Sequence, residues 1–182
     1  MVLSALESNL EIKAKTYKPS LSAIFLLNNH YHVLKNLQSP EFEQNVNEKY
    51  VQTYQAKVKK DEGDYLKISW QKALNYLQDT KKIVMKNNEL TKSSKKEIKS
   101  KLENFNTIFE ELYRSHRAYC IGDVSLRDHM RSKNIATVTP IYKAFIEKYG
   151  SLKFSRRSDK YVKYDPNIIV SMLNKFYDEY KS

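Results

Sequence analysis

Glycine and proline are scarce, three and four in 182 residues. So few of either exclude a collagen, a flexible linker protein or an ordinary disordered tail. They also leave too few turn residues for a β-sandwich, which needs turn signals about every eight to twelve positions. The single cysteine excludes a disulfide framework and a cysteine-based zinc module. Long apolar runs are missing too: the longest, Ala23 to Leu27, falls far short of the roughly 20 residues that span a bilayer. Near the N-terminus Glu7 and Glu11 interrupt the apolar positions, unlike the layout of a signal peptide.

What the chain has is aromatic side chains and helical periodicity. Fourteen tyrosines and seven phenylalanines supply apolar area for a core. Leu3, Leu6, Leu10 and Ile12 begin a helical stripe immediately after Met1, which suggests the C-terminal piece of a longer helical protein with an apolar patch left exposed on the first two helices. The spacing predicts a helix from Val2 to Tyr17, and a second from Leu21 to Leu37 capped by Ser20. Ser39-Pro40 reads as a restart, followed from Glu41 by a long helix through Phe42, Val46, Tyr50, Tyr54 and Val58, bent at Gly63 before Trp70 and Leu77. Residues 86–95 read as a polar loop, and Ser94 to Glu97 as a capping box.

Ile98, Leu102, Phe105, Phe109, Leu112, His116 and Tyr119 recur at spacings of four and three, the clearest periodicity in the chain, and predict one long helix with a buried seam that Gly122 ends. A further helix runs through Leu126, Met130, Val138, Tyr142 and Phe145, with a kink at Pro140 and a stop at Gly150. After an irregular stretch at 151–164, Asp165-Pro166 starts a last helix bearing Ile169, Leu173, Phe176 and Tyr180. No strand is expected. The fold expected is all-α, an elongated antiparallel helical bundle, with residues 1–88 forming a first part and 89–182 a C-terminal bundle.

The net charge of +11 is localised. Residues 81–101 hold eight lysines against Glu89 and Glu97, and residues 143–163 hold seven bases against Glu147 and Asp159. These windows carry the whole excess, so the chain is neutral apart from two basic patches. The first reads as a solvated face. In the second, Phe154, Tyr161 and Tyr164 are interleaved with the bases, a composition suited to a phosphate-rich partner, either lipid headgroups or nucleic acid. No helix-turn-helix, zinc or RNA-recognition signature supports the nucleic-acid alternative.

Catalytic constellations are not visible. His30 and His32, two apart on a helix, point to different sides and cannot share a metal. His116 and Cys120 share a face, but His116 falls on the buried seam and reads as structural. No glycine-rich phosphate loop is present. The chain is therefore read as a non-enzyme with no cofactor, metal or catalytic residue.

Three stretches carry a family resemblance. Residues 13–37, beginning Lys-Ala-Lys-Thr-Tyr-Lys-Pro-Ser, form the first. Phe105-Asn-Thr-Ile-Phe-Glu-Glu-Leu-Tyr, with Asp123-Val-Ser-Leu-Arg-Asp and Thr139-Pro-Ile-Tyr-Lys-Ala-Phe, forms the second. Asp159-Lys-Tyr-Val-Lys-Tyr is the third. In this order they resemble the exocyst complex seventy-kilodalton subunit family. One departure is Tyr119 with Cys120-Ile121-Gly122, where the family usually shows a tryptophan, a small residue, a valine and a proline. The resemblance implies the C-terminal part of a helical rod that tethers secretory vesicles at the plasma membrane in exocytosis. It implies a cytoplasmic protein, peripheral at that membrane, with other exocyst subunits as partners and small GTPases as further candidates. It also implies binding of phosphatidylinositol 4,5-bisphosphate through the positions matching Lys160 and Lys163. Charge alone adds Lys153, Arg156 and Arg157 to the candidate lipid site.

Overall fold

The computed structural model describes residues 2–43 and 47–178. Its elements are α1 (Val2–Ala14), α2 (Pro19–Leu37), the short α3 (Pro40–Glu43), α4 (Glu48–Gln78), a hairpin of β1 (Met85–Lys86) and β2 (Glu89–Leu90), α5 (Lys92–His116), α6 (Val124–Tyr149), a 3-10 turn (Ser158–Lys160) and α7 (Pro166–Leu173). Helices carry the fold, as the periodicity predicts. Of the positions expected in helices, Val46 and Tyr180 lie outside the described residues.

The seam of α5 is the axis of the core. Ile98, Leu102, Phe105 and Phe109 are fully buried, and a fully buried side chain of this kind contributes about 1.5–3 kcal/mol. Phe105 stacks on Tyr142 of α6 at 5.0 Å between ring centroids. Trp70 of α4 lies parallel to Phe176, which follows α7, at 6.1 Å. One core cluster thus takes in α2, α4, α5, α6 and the chain after α7. On α1, Leu10 and Ala14 are buried while Leu6 and Ile12 are exposed.

Several helix ends differ from expectation, each for a local reason. Ser20 does not cap α2, because Pro19, with its preset backbone angle, begins the helix one residue earlier behind Lys18. The Ser20 hydroxyl instead pairs with that of Tyr119 at 2.8 Å. The Ser39-Pro40 signal starts α3 as expected. The long helix starts at Glu48, where the Asn47 side chain accepts the Lys49 N–H at 2.9 Å, and it runs through Gly63 unbroken. α5 ends at His116, before Gly122. α6 continues through Pro140 and is capped by Asp123, whose carboxylate accepts the Leu126 N–H at 3.0 Å. Asp165 caps α7 as expected. α7 is shorter than its pattern suggests, and Phe176 and Tyr177 enter the core from the turn beyond it.

The largest departure lies at residues 84–94. The polar loop is an antiparallel hairpin that pairs Met85 with Leu90 and Lys86 with Glu89. Asn87 and Asn88 close it with φ of 50° and 63°, the left-handed pair that a two-residue hairpin turn requires and that asparagine tolerates. Ser94 is not the cap of α5. Thr91 is, accepting the Ser94 N–H at 3.1 Å. The buried Ser94 hydroxyl ties the hairpin to the helix by accepting the Val84 N–H and donating to the Val84 carbonyl, both at 2.8 Å.

A buried polar relay crosses the aromatic core. Trp70 Nε1–H donates to Asn134 Oδ1 at 2.6 Å, and Asn134 Nδ2 donates to the Tyr177 hydroxyl at 2.8 Å. Tyr177 donates to Tyr65 at 2.6 Å, and Tyr65 in turn to His116 Nδ1 at 2.7 Å. The relay holds Tyr177 at a φ of 61°, a left-handed conformation uncommon for an aromatic residue. The His116 reading as a core residue holds: it is fully buried.

Two outcomes are expected. Burial pushes the His116 pKa down from 6.5 to about 3. Below pH 6.5 the unfolded chain therefore binds a proton that the folded chain refuses. This group's effect is absent above pH 6.5, and it costs stability progressively as pH falls toward 3, with a slope approaching about 1.4 kcal/mol per pH unit. Urea unfolding of His116→Gln should show a lower midpoint at neutral pH but a shallower loss on acidification than the unsubstituted chain. Separately, Ser94→Ala removes the partner of the Val84 N–H and leaves the Val84 carbonyl only the Thr91 N–H at 3.4 Å. It should cost about 1 kcal/mol, with amide exchange at Val84 rising before that of the α5 seam.

Candidate basic surface

Residues 151–164 leave α6 at Gly150, where a Cβ would lie 2.6 Å from the Ile146 carbonyl oxygen. Apart from the 3-10 turn the segment has no regular structure, so its polar groups need partners elsewhere. Asn106 Nδ2 donates to the Tyr161 carbonyl at 2.8 Å, and the Tyr142 hydroxyl donates to the Tyr164 carbonyl at 2.7 Å. The Tyr164 hydroxyl donates to Glu110 at 2.9 Å. Phe154 is buried and meets Tyr161 edge-on at 6.0 Å. α5 and α6 thus fix the segment from two sides, and its interleaved aromatics are the pins.

The five cations read from the sequence, Lys153, Arg156, Arg157, Lys160 and Lys163, are all exposed on this segment. Lys163 is partly committed, because its Nζ lies 2.8 Å from Glu110 with the side chain still 46% exposed. The Lys163 ammonium holds the Glu110 carboxyl below the usual carboxylate range, against the effect of burial. Among the described residues the other four form no ion pair.

The two basic windows, separate in sequence, meet here. Lys99 of α5 and Lys160 of the segment both approach the Tyr161 ring, at 5.8 and 5.6 Å from its centroid, within cation–π range. Lys95 and Lys153 line one groove with the hairpin. The window 81–101 is therefore not only a solvated face. Lys95 and Lys99 are half-buried against the C-terminal segment, and reading the windows one at a time missed them. The available signal was spacing: Lys92, Lys95, Lys96 and Lys99 share the face of α5 that Asn106 and Glu110 continue.

Other polar groups serve the fold. His30 is buried against Asp61 and 3.3 Å from Glu7. Glu7 also accepts from Tyr54 and Lys57, at 2.7 and 2.6 Å, so this node joins α1, α2 and α4. A groove of about 860 Å³ between α2 and the start of α6 carries Lys35, paired with Asp123 at 2.6 Å. Among the described residues no group of three or more histidines, cysteines or carboxylates could hold a metal ion. No helix among them is long and apolar enough to cross a membrane.

Comparison with known proteins agrees with the architecture. Residues 1–175 match the family described as the C-terminal region of the Exo70 exocyst complex subunit. The chain is similar to exocyst complex component 7 of Homo sapiens, 32% identical over 182 residues, covering 97% of this chain and 25% of that protein. It is similar also to exocyst complex component EXO70A3 of Arabidopsis thaliana, 30% identical over 180 residues, covering 97% of this chain and 30% of that one. Among solved structures, S. cerevisiae Exo70 superposes with a TM-score of 0.67 at 23% identity, over 86% of this chain and 28% of that one, a likeness of fold. The chain spans less than a third of the length of these relatives. With the family match running over nearly all of its helices, the chain belongs to the Exo70 exocyst subunit family and corresponds to its C-terminal part.

Proposed function

We propose that this chain is a membrane-facing part of a vesicle-tethering subunit. It acts without catalysis, at the inner face of the plasma membrane, as part of an assembly with other exocyst subunits. Its contact with the bilayer is electrostatic: Lys153, Arg156, Arg157, Lys160 and Lys163 meet the phosphates of phosphatidylinositol 4,5-bisphosphate. The observation that carries this reading is an irregular segment, pinned by aromatic side chains, that holds five exposed cations in one place. Small GTPases fit the same role as partners that would recruit the assembly.

The strength of such a contact is bounded. A basic side chain near an anionic membrane contributes about 1 kcal/mol. A window of net charge +5 therefore contributes at most roughly 5 kcal/mol, a weak and salt-sensitive attachment. Lasting residence then requires several such contacts in one assembly, where the effective concentration of each is raised by the others.

Sedimentation with vesicles of phosphatidylcholine and phosphatidylinositol 4,5-bisphosphate tests the site. Lys160→Ala/Lys163→Ala should bind roughly 30-fold more weakly, about 1 kcal/mol per lost charge. A variant that sediments like the unsubstituted chain refutes the assignment. Glu110→Gln, which keeps an acceptor for Tyr164 but frees the Lys163 ammonium, should bind the same vesicles more tightly. Preference for an oligonucleotide over these vesicles would favour nucleic acid as the ligand instead.

A further inference from the structure

The C-terminal segment is only half of the surface that the fold assembles. A groove of about 330 Å³ separates its first residues from the hairpin, and Lys95 and Lys153 line it together with Met85 and Leu152. One lysine comes from each basic window. Met85 is 47% exposed and its neighbour Val84 50% exposed. These two apolar residues stand among Lys81, Lys82 and Lys86, all exposed. Glu89 is the acid on the groove lining, opposite Lys86 in the ladder. Beyond the groove, Lys99 continues the row on α5 and shares the Tyr161 ring with Lys160.

We infer that the hairpin edge at Val84 and Met85 enters the headgroup–acyl boundary of an anionic bilayer, while Lys95 and Lys99 join Lys153 and Lys160 on the lipid phosphates. This rests on the lipid-facing role proposed above and extends it from one segment to two. Charge complementarity selects the occupant. Two windows of like sign, on a chain otherwise neutral, converge on one face and ask for a dense array of negative charge. A soluble polyanion would satisfy the cations but leave the apolar edge without a counterpart. A bilayer offers both in the right order, phosphates at the level of the ammoniums and hydrocarbon just beneath. The Ser94 hydroxyl, which grips the Val84 backbone on both sides, keeps the edge in register with the lysines of α5.

The test uses the whole chain and the same phosphatidylcholine and phosphatidylinositol 4,5-bisphosphate vesicles. Lys95→Ala/Lys99→Ala places two good helix formers on half-buried positions and should weaken binding about 30-fold, the same two-charge loss as in the C-terminal pair. In Met85→Trp, emission should shift to the blue on binding and be quenched by brominated acyl chains, while the buried Trp70 gives a constant background. If Lys95→Ala/Lys99→Ala binds normally while Lys160→Ala/Lys163→Ala does not, the extension fails and the C-terminal reading stands. If the reverse is found, the C-terminal reading fails and the hairpin half survives alone. If Met85→Trp binds but its emission neither shifts nor is quenched, the inserted edge is wrong. Binding of soluble inositol phosphate as tight as that of vesicles overturns it equally, since no bilayer would then be needed.

Discussion

A stretch of backbone without helix or strand must have its carbonyls satisfied from outside, and residues 151–164 borrow donors from two helices at once. Asn106 reaches the Tyr161 carbonyl from α5, and Tyr142 reaches the Tyr164 carbonyl from α6. These neutral bonds are worth only about 1 kcal/mol each in net stability. Their geometric effect is larger, because they choose one path for a chain with many open to it. Exposed cations repel one another, so a mobile segment would spread them. Pinned as it is, it keeps them together at the cost of that repulsion.

The same reasoning explains why the aromatic interior contains polar side chains at all. Trp70, Asn134, Tyr177, Tyr65 and His116 bring four parts of the chain to one line of hydrogen bonds. A purely apolar core of this size would tolerate small shifts of α6 against α4. A relay whose members are spaced at hydrogen-bond distance does not tolerate them. Since α6 delivers the chain directly into the basic segment, the registry fixed at Asn134 carries through to the surface.

Much of this architecture was readable from residue order. The seam on α5 is legible because burial repeats with the helical period, and Asp165-Pro166 because cap and proline act within one turn. Ser20 and Ser94 look like caps by the same local rule, yet Pro19 and Thr91 act first. The hairpin escapes notice because strands of two residues show no alternation, and only Asn87-Asn88 betrays the turn. Meeting of the two basic windows is a tertiary fact. It follows from α5 lying along the C-terminal segment, and no property of either window alone encodes it. The five surface cations were legible as charge. The partial engagement of Lys163 with Glu110, 53 positions away, was not.

The relay has a direction, and that makes position 134 irreplaceable in a way its neighbours are not. Indole nitrogen only donates, so the carboxamide oxygen must face Trp70, which leaves its amino group to feed the tyrosines. Aspartate would keep the acceptor and bring an unwanted negative charge. Leucine would fit the space and silence both ends. Glutamine has the chemistry but one methylene too many for a site with no solvent access. Of these side chains asparagine alone serves both ends of the relay, and it does so from a position with no exposure at all.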